Sequence, residues 1–221
     1  MNAHEPDDLQ RIYQARFRKN LEYRRAVWRV LIADFFQTFV QPTAAVLDLG
    51  CGYGEFINQI RCGDKFAMDL NPDAPERVAA EVKCILQDCS TKWPFADNRL
   101  DVVFTSNFFE HLPDKAALGR TLDEVRRCLK PGGRLIAVGP NIKHLPGAYW
   151  DFWDHYIPLT EYALREALEN RGLTVNMCLG KFLPYTMAAG PRYPLVCLRF
   201  YLRLRWAWPL FGKQFLVIAS K

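Results

Sequence analysis

The stretch AVLDLGCGYGEF, Ala45 to Phe56, constrains the chain more than any other. A short apolar run with strand character ends abruptly in glycines at 50, 52 and 54. Such a turn lets backbone approach a ligand closely and exposes N–H groups at the start of a following helix. The alternation then continues. KFAMDL reads as a second strand stopped by Asn71-Pro72, KCILQDC as a third, LDVVFTSN as a fourth and RLIAVGP as a fifth. Helices are expected at GEFINQI, at Pro75 to Val82, at Asp114 to Leu129 and at Thr160 to Asn170. The third carries Leu118, Leu122, Val125 and Leu129 on one side and stops at Pro131-Gly132-Gly133, while Thr160 offers only an imperfect capping box. LTVNMCL and QFLVIAS complete the strands. Strands alternating with helices predict an α/β, doubly wound, Rossmann-like sheet covered on both faces. Half of the 221 residues are hydrophobic, enough to fill the core of one such domain.

The spacing of the glycines narrows the ligand. A dinucleotide fingerprint needs its third glycine at position 55, which is Glu55, and no Gly-Lys-Ser/Thr follows as in a phosphate-binding loop. A carboxylate at the helix start serves phosphate poorly. A ligand with an ammonium group and a modest carboxylate fits better. The second strand ends in Asp69, nineteen residues after Gly50, where a carboxylate can accept both ribose hydroxyls. The third ends near Asp88, a suitable acceptor for an adenine amino group. The plain alternative is that each aspartate caps the segment after it.

Five ordered pieces, VLDLGCGYGEF, AMDLNP, LQDCSTKWPFADNRLDVVFTSNFFEHLPD, EVRRCLKPGGRLIAVGPN and FLVIASK, resemble the class I S-adenosylmethionine-dependent methyltransferases. The likeness is close over residues 44–140, looser to 180, and resumes at 214–221. It implies a seven-stranded sheet with an antiparallel last strand, and S-adenosyl-L-methionine as cofactor. Asp48 and the loop of Gly50, Cys51, Gly52 and Gly54 would surround the methionine part. Asp69, with Leu70 beside it, would bind the ribose. Asp88 and Cys89 would face the adenine, and Asn107 would lie beside the sulfonium end.

Methyl transfer asks the protein to align donor and acceptor and, for some acceptors, to remove a proton. NFFEHLPD offers Glu110 and His111. The resemblance includes a quinone-producing branch in which a similar segment serves metal-dependent catalysis, but the segment is widespread without metal. We read the pair as structural, see no clustered carboxylate–histidine set in the sequence and expect no metal. The long segment from Pro140 to Thr160 follows the fifth strand, where acceptors usually enter in this family, and long loops are often functional. It carries His144, Asp151, Asp154 and His155. His155 is the candidate general base, with a hydrogen-bonded loop histidine as the plain alternative. Tyr149, Trp153 and Tyr156 are the candidate acceptor-binding aromatics, with core packing the alternative for the first two.

The chain reads as one methyltransferase domain: a helical cap over 1–42, a cofactor-binding core over 43–180, an excursion over 181–212 and a final strand over 213–221. The cap is expected as helix from Asp7 to Val40, with apolar residues at Leu9, Ile12, Tyr13 and Phe17 and seven Arg/Lys against one Glu between Arg11 and Arg29. That is a solvated face or a lid whose cations meet an anion. From Tyr193 to Trp208 the excursion is apolar nearly all round, broken by Arg199, Arg203 and Arg205. A lid over the pocket, a homodimer contact and a peripheral membrane-surface contact all remain open.

Seven cysteines without Cys-x-x-Cys spacing, no signal peptide and no bilayer-length apolar run point to reduced thiols in a cytoplasmic protein, at most at the inner face of a membrane. A net charge of +5 supports anionic partners only weakly, and the absence of a broad basic stripe or an Asn/Asp-Pro-Pro-Tyr segment disfavours nucleic acid. The leading reading is methylation of a small-molecule acceptor, most simply on oxygen: a sugar, a glycan or lipid-linked precursor, or a secondary metabolite. The alternatives are a nicotinamide-dependent oxidoreductase and a non-catalytic cofactor-binding module.

Overall fold

The computed structural model of the protein describes Arg11, residues 20–184 and residues 192–221. The expected helix before residue 20, with Leu9, Ile12, Tyr13 and Phe17, lies outside the described residues apart from Arg11. Helix α1 spans Leu21–Asp34 and a 3-10 turn follows over Phe36–Phe39. The core comprises β1 (Val46–Leu49), β2 (Lys65–Asp69), the one-turn helix α2 (Ala74–Arg77), β3 (Lys83–Leu86), β4 (Leu100–Ser106), α3 (Lys115–Cys128), β5 (Leu129–Pro140), α4 (Glu161–Glu169) and β6 (Thr174–Leu179). The excursion contributes α5 (Leu195–Arg203) and the short α6 (Trp208–Phe211), and β7 (Gln214–Ser220) closes the chain.

The seven strands lie in the order β3-β2-β1-β4-β5-β7-β6. The first five are parallel, and β7 runs antiparallel to both β5 and β6. Strand order reverses between β1 and β4, so a crevice opens at their carboxyl ends, where open sheets of this kind bind ligands. The two-residue period of the strands sorts their side chains into two cores. Val46, Phe104, Ile136 and Leu216 face α1 and the excursion, while Leu47, Val103, Leu135 and Val217 face α3 and α4.

Local chemistry explains most boundaries. Asp114 accepts from Ala117 N at 2.7 Å and starts α3. Thr160, expected to cap imperfectly, accepts from Ala163 N at 3.1 Å and starts α4. Gly172, at φ +72°, turns the chain beyond α4. Two helical expectations need correction. GEFINQI forms successive turns rather than a regular helix: Asn58 and Ile60 donate to the Gly54 and Phe56 carbonyls as in a helix, but the Gln59 N–H also turns to Phe56 and the Ile57 N–H donates 3.3 Å to the Asp48 carboxylate. The helix expected from Pro75 to Val82 is a single turn ending at Arg77. The third strand also stops at Leu86, so Asp88 and Cys89 lie in the loop beyond it.

The N-terminal helix and the excursion pack on each other over the same sheet face. Tyr23 Oη donates to the Tyr193 carbonyl and accepts its N–H, both at 3.1 Å. Trp28 meets Phe36, Phe56 and Phe104, and Phe35 meets Phe182 and Trp208. Among the described residues, no helix is long and apolar enough to cross a membrane.

Candidate active site

The glycine loop sits at the carboxyl end of β1. Gly50, Gly52 and Gly54 adopt φ +70°, +52° and +69°, the left-handed region that side chains resist. Gly50 lies under the ring of Phe108, from the segment after β4: a Cβ there would stand 2.2 Å from Phe108 Cγ. Gly50 N donates to Met68 O at 2.9 Å, joining the loop to β2.

Asp69, at the end of β2, organises the loop. One carboxylate oxygen accepts from Gly52 N at 2.8 Å and the other from Asn71 N at 2.9 Å. Burial raises its pKa, opposed by those backbone bonds and by the charge of His111. Asp48 is buried beneath the loop. Its carboxyl is pushed well above the usual range by burial, with Glu55 and Asp69 adding repulsion and the Ile57 N–H opposing.

Other members of the predicted cofactor set divide. Cys51 is buried and Leu70 is exposed beside Asp69. Asp88 accepts from Ser90 N at 2.8 Å, so it does cap its own turn, while keeping further acceptor capacity. Cys89 is buried 3.3 Å from Thr121 Oγ1, its carbonyl takes the Trp93 indole N–H at 2.8 Å, and burial pushes its thiol up to about 12. Asn107 occupies φ +51°, a conformation that clusters at functional sites in non-glycine residues. Its Oδ1 accepts from Gln214 Nε2 at 2.6 Å, a partner from β7 that no local pattern announces.

Glu55 does not face a ligand as its place in the loop suggests. It is buried, and its carboxylate accepts from Arg24 Nε of α1 at 2.7 Å. One of the cap's cations thus meets an anion inside the protein and pins the cap onto the glycine loop.

The acceptor-side predictions also divide. Tyr149 is fully buried, its phenol donating to the Ile157 carbonyl, so it is part of the packing. Trp153 is 85% exposed, and Tyr156 is half-buried with its N–H on the Glu110 carbonyl at 2.8 Å. The three aromatics do not form one wall, because the turn that follows Tyr149 turns Trp153 outward. His144 lies apart, and burial and then Lys181 lower its pKa.

His155 is buried, its ring 5.0 Å from Phe152 and 4.9 Å from both Tyr149 and His111. The expectation of no carboxylate–histidine cluster is corrected here. Glu110, His111 and His155 each offer a ligand atom, all within 4.8 Å of one another. One atom from each could hold a divalent cation. Asp154 backs the group, its carboxylate 3.2 Å and its carbonyl 2.8 Å from His111 Nδ1. Burial pushes Glu110 up to about 7. For His111 burial works downward, but the Asp154 and Glu110 carboxylates outweigh it and raise the pKa.

A left-handed glycine turn after β1, a carboxylate spanning it from β2 and an antiparallel last strand define an α/β cofactor-binding domain of the methyltransferase type. Residues 47–137 match the family model described as a methyltransferase domain. An uncharacterized methyltransferase of Mycobacterium sp. (strain KMS) is 32% identical over 113 residues, 48% of this chain and 44% of the relative. The chain spans less than half the length of such curated relatives. A solved SAM-dependent methyltransferase from Archaeoglobus fulgidus superposes with a TM-score of 0.66 at 20% identity, covering 93% of this chain and 99% of the other. A Haloferax volcanii methyltransferase solved with the Trm112 activator also gives 0.66 at 20% identity, covering 94% and 95%. Residues 47–137 thus match a methyltransferase domain, and the chain has the fold of solved SAM-dependent methyltransferases, whose cofactor is S-adenosylmethionine. The residues present fit it: side-chain-free backbone at the loop and, on Asp69, acceptor lone pairs beyond those used by Gly52 and Asn71.

Proposed function

We propose that the protein transfers a methyl group from S-adenosylmethionine to a hydroxyl oxygen of a small-molecule acceptor, the acceptor being a sugar, a glycan or lipid-linked precursor, or a secondary metabolite. The observation that carries this reading is the Glu110–His111–His155 group, from the segments after β4 and β5, at the carboxyl end of the sheet where the glycine loop also lies. When bound, the cofactor supplies a methyl group already activated for transfer. Asp69 would take the ribose hydroxyls, and the Gly50–Gly54 backbone would receive the methionine portion. Asp88 and the Cys89 backbone would meet the adenine, and Asn107 would border the transfer position. His155 would accept the hydroxyl proton, a task for which imidazole is suited near neutral pH. Glu110 and His111, held by Asp154, would set the field in which it does so.

Calorimetric titration with S-adenosylhomocysteine and with NADH tests the cofactor, and binding of NADH alone would reject the proposal. A panel of hydroxyl acceptors with isotopically labelled methyl donor tests the reaction. His155→Ala should lower turnover about 10²- to 10⁴-fold, the usual worth of a general base. Its affinity for S-adenosylhomocysteine should stay near that of the unaltered protein. Normal turnover in that variant would place the base elsewhere.

A further inference from the structure

The excursion leaves a surface that the transfer site does not use. Among the described residues twelve large hydrophobic side chains are exposed, and seven of them fall between Tyr193 and Phe211. That clustering is a patch rather than scatter, and apolar patches on a folded surface mark contact sites. Helix α5 shows how it arises. Leu195, Leu198, Tyr201 and Leu202 turn toward the core. Val196, Phe200 and Leu204, spaced by four, form an outer stripe that is also apolar. A helix apolar on both sides is expected to be covered on both. Trp206, 68% exposed, and Leu210 and Phe211 extend the patch beyond the helix.

Charge decides what covers it. From residue 170 to the last residue the sequence holds eight Arg/Lys and no Asp or Glu. Arg199 and Arg203 are exposed on one side of the outer stripe, with Arg205 just past the helix. Arg199 contacts an acid, Asp34, at 3.6 Å. A two-fold dimer would place this patch on its own copy and so bring arginines against arginines, with Asp34 the acid recorded beside them. Anionic lipid headgroups complement the arginines, and the apolar stripe with Trp206 suits the boundary between headgroups and acyl chains. The same segment walls an apolar cleft of about 250 Å³ between Phe35, Phe39, Trp208 and Pro209, with Lys181 and Arg205 on its lining.

We infer that the outer face of α5 and the Trp206–Phe211 segment form a docking surface for a bilayer bearing anionic headgroups. The inference does not rest on the transfer reaction; where both hold, the acceptor is one met at a membrane.

The test is co-sedimentation of the full chain with vesicles of equal phosphatidylglycerol and phosphatidylcholine, at low salt, against phosphatidylcholine alone. The chain should pellet with the anionic vesicles, and high salt should release it. Arg199→Gln with Arg203→Gln should weaken the partition about thirtyfold, from roughly a tenfold loss per two-thirds of the pair's electrostatic attraction. Phe200→Ser with Leu204→Ser should weaken it too, whereas Lys115→Gln with Arg120→Gln, on the exposed side of α3, should not. Melting curves and S-adenosylhomocysteine titration of each variant establish that it is folded, and they also judge the cofactor reading separately. A folded chain that ignores anionic vesicles, that binds neutral ones equally, or whose α5 variants bind undiminished overturns the inference. So does a dimer in light scattering that the Phe200/Leu204 variant converts to monomer without any vesicle binding.

Discussion

Replacing Gly50 by alanine probes the glycine loop at its tightest point. The added Cβ would stand 2.2 Å from Phe108 Cγ, 2.3 Å from Cδ2 and 2.8 Å from Cβ. Carbon atoms in contact prefer about 3.5–4.0 Å, so the ring must leave or the loop must shift. Two costs add. Holding alanine at φ +70° costs about 1–2 kcal/mol. Overpacking against the ring costs about 1–3 kcal/mol. The sum, about 3.5 kcal/mol at its centre, lowers the melting temperature by about 7–14 °C in a chain of this size. The two parts separate in a cycle. In a Phe108→Gly background the ring and its Cβ, 2.8 Å from the added carbon, are both gone and only the backbone cost remains, so Gly50→Ala should then cost about 1–2 kcal/mol. Urea or thermal unfolding of the four proteins supplies the numbers. An equal cost in both backgrounds would show that the ring does not lie on Gly50. A cost below about 1 kcal/mol in the natural background would refute the left-handed turn as well.

Three further outcomes follow from the same geometry. Asp69→Ala should weaken S-adenosylmethionine binding about ten- to a hundredfold, the worth of hydrogen bonds to a charged acceptor, and calorimetry on the folded variant measures it. Glu55→Gln strips the counter-charge from Arg24, whose side chain is only 11% exposed; it should cost about 3 kcal/mol, and a melting temperature unchanged by the substitution would remove the pair's role as the clamp of the N-terminal helix. Asp48→Asn should trade stability against binding. The folded-state pKa of Asp48 is raised, so its contribution is fully present below the unfolded pKa and is lost as pH rises through the folded one. Above that folded-state pKa it is a buried anion repelled by the Glu55 and Asp69 carboxylates, with the Ile57 N–H opposing. The variant's melting temperature relative to the natural protein should therefore rise as pH rises, while its cofactor affinity falls. A gain that does not depend on pH would mean that Asp48 does not titrate in the folded state.

What the sequence disclosed and what it hid divide by range. The glycine turn and the capping residues Asp114 and Thr160 are legible because each acts on backbone a few residues away. The strand set is legible for a similar reason, since short apolar runs bounded by glycine, proline or asparagine identify buried strands without knowledge of their neighbours. The failures are long-range. GEFINQI has helical composition, yet Asp48, nine residues earlier, captures the Ile57 N–H, and nothing in the local pattern records that competition. Glu55 reads as a charge in a ligand loop until Arg24, 31 residues away, closes on it. Tyr149 and Trp153 are indistinguishable as loop aromatics, and only the tertiary turn decides that one is enclosed and the other in water. The Glu110–His111–His155 group is the extreme case. Its two halves lie on separate crossovers, and His111 meets Asp154 across 43 residues. The Tyr156 and Ile157 N–H groups on the Glu110 carbonyl bring those halves together. Because both crossovers leave the carboxyl ends of neighbouring strands β4 and β5, the pairing is a consequence of parallel topology rather than of either segment. The signal that could have found it was therefore the strand order itself: in a sheet of this kind, ionisable residues just past adjacent parallel strands face the same crevice and are candidates for one site.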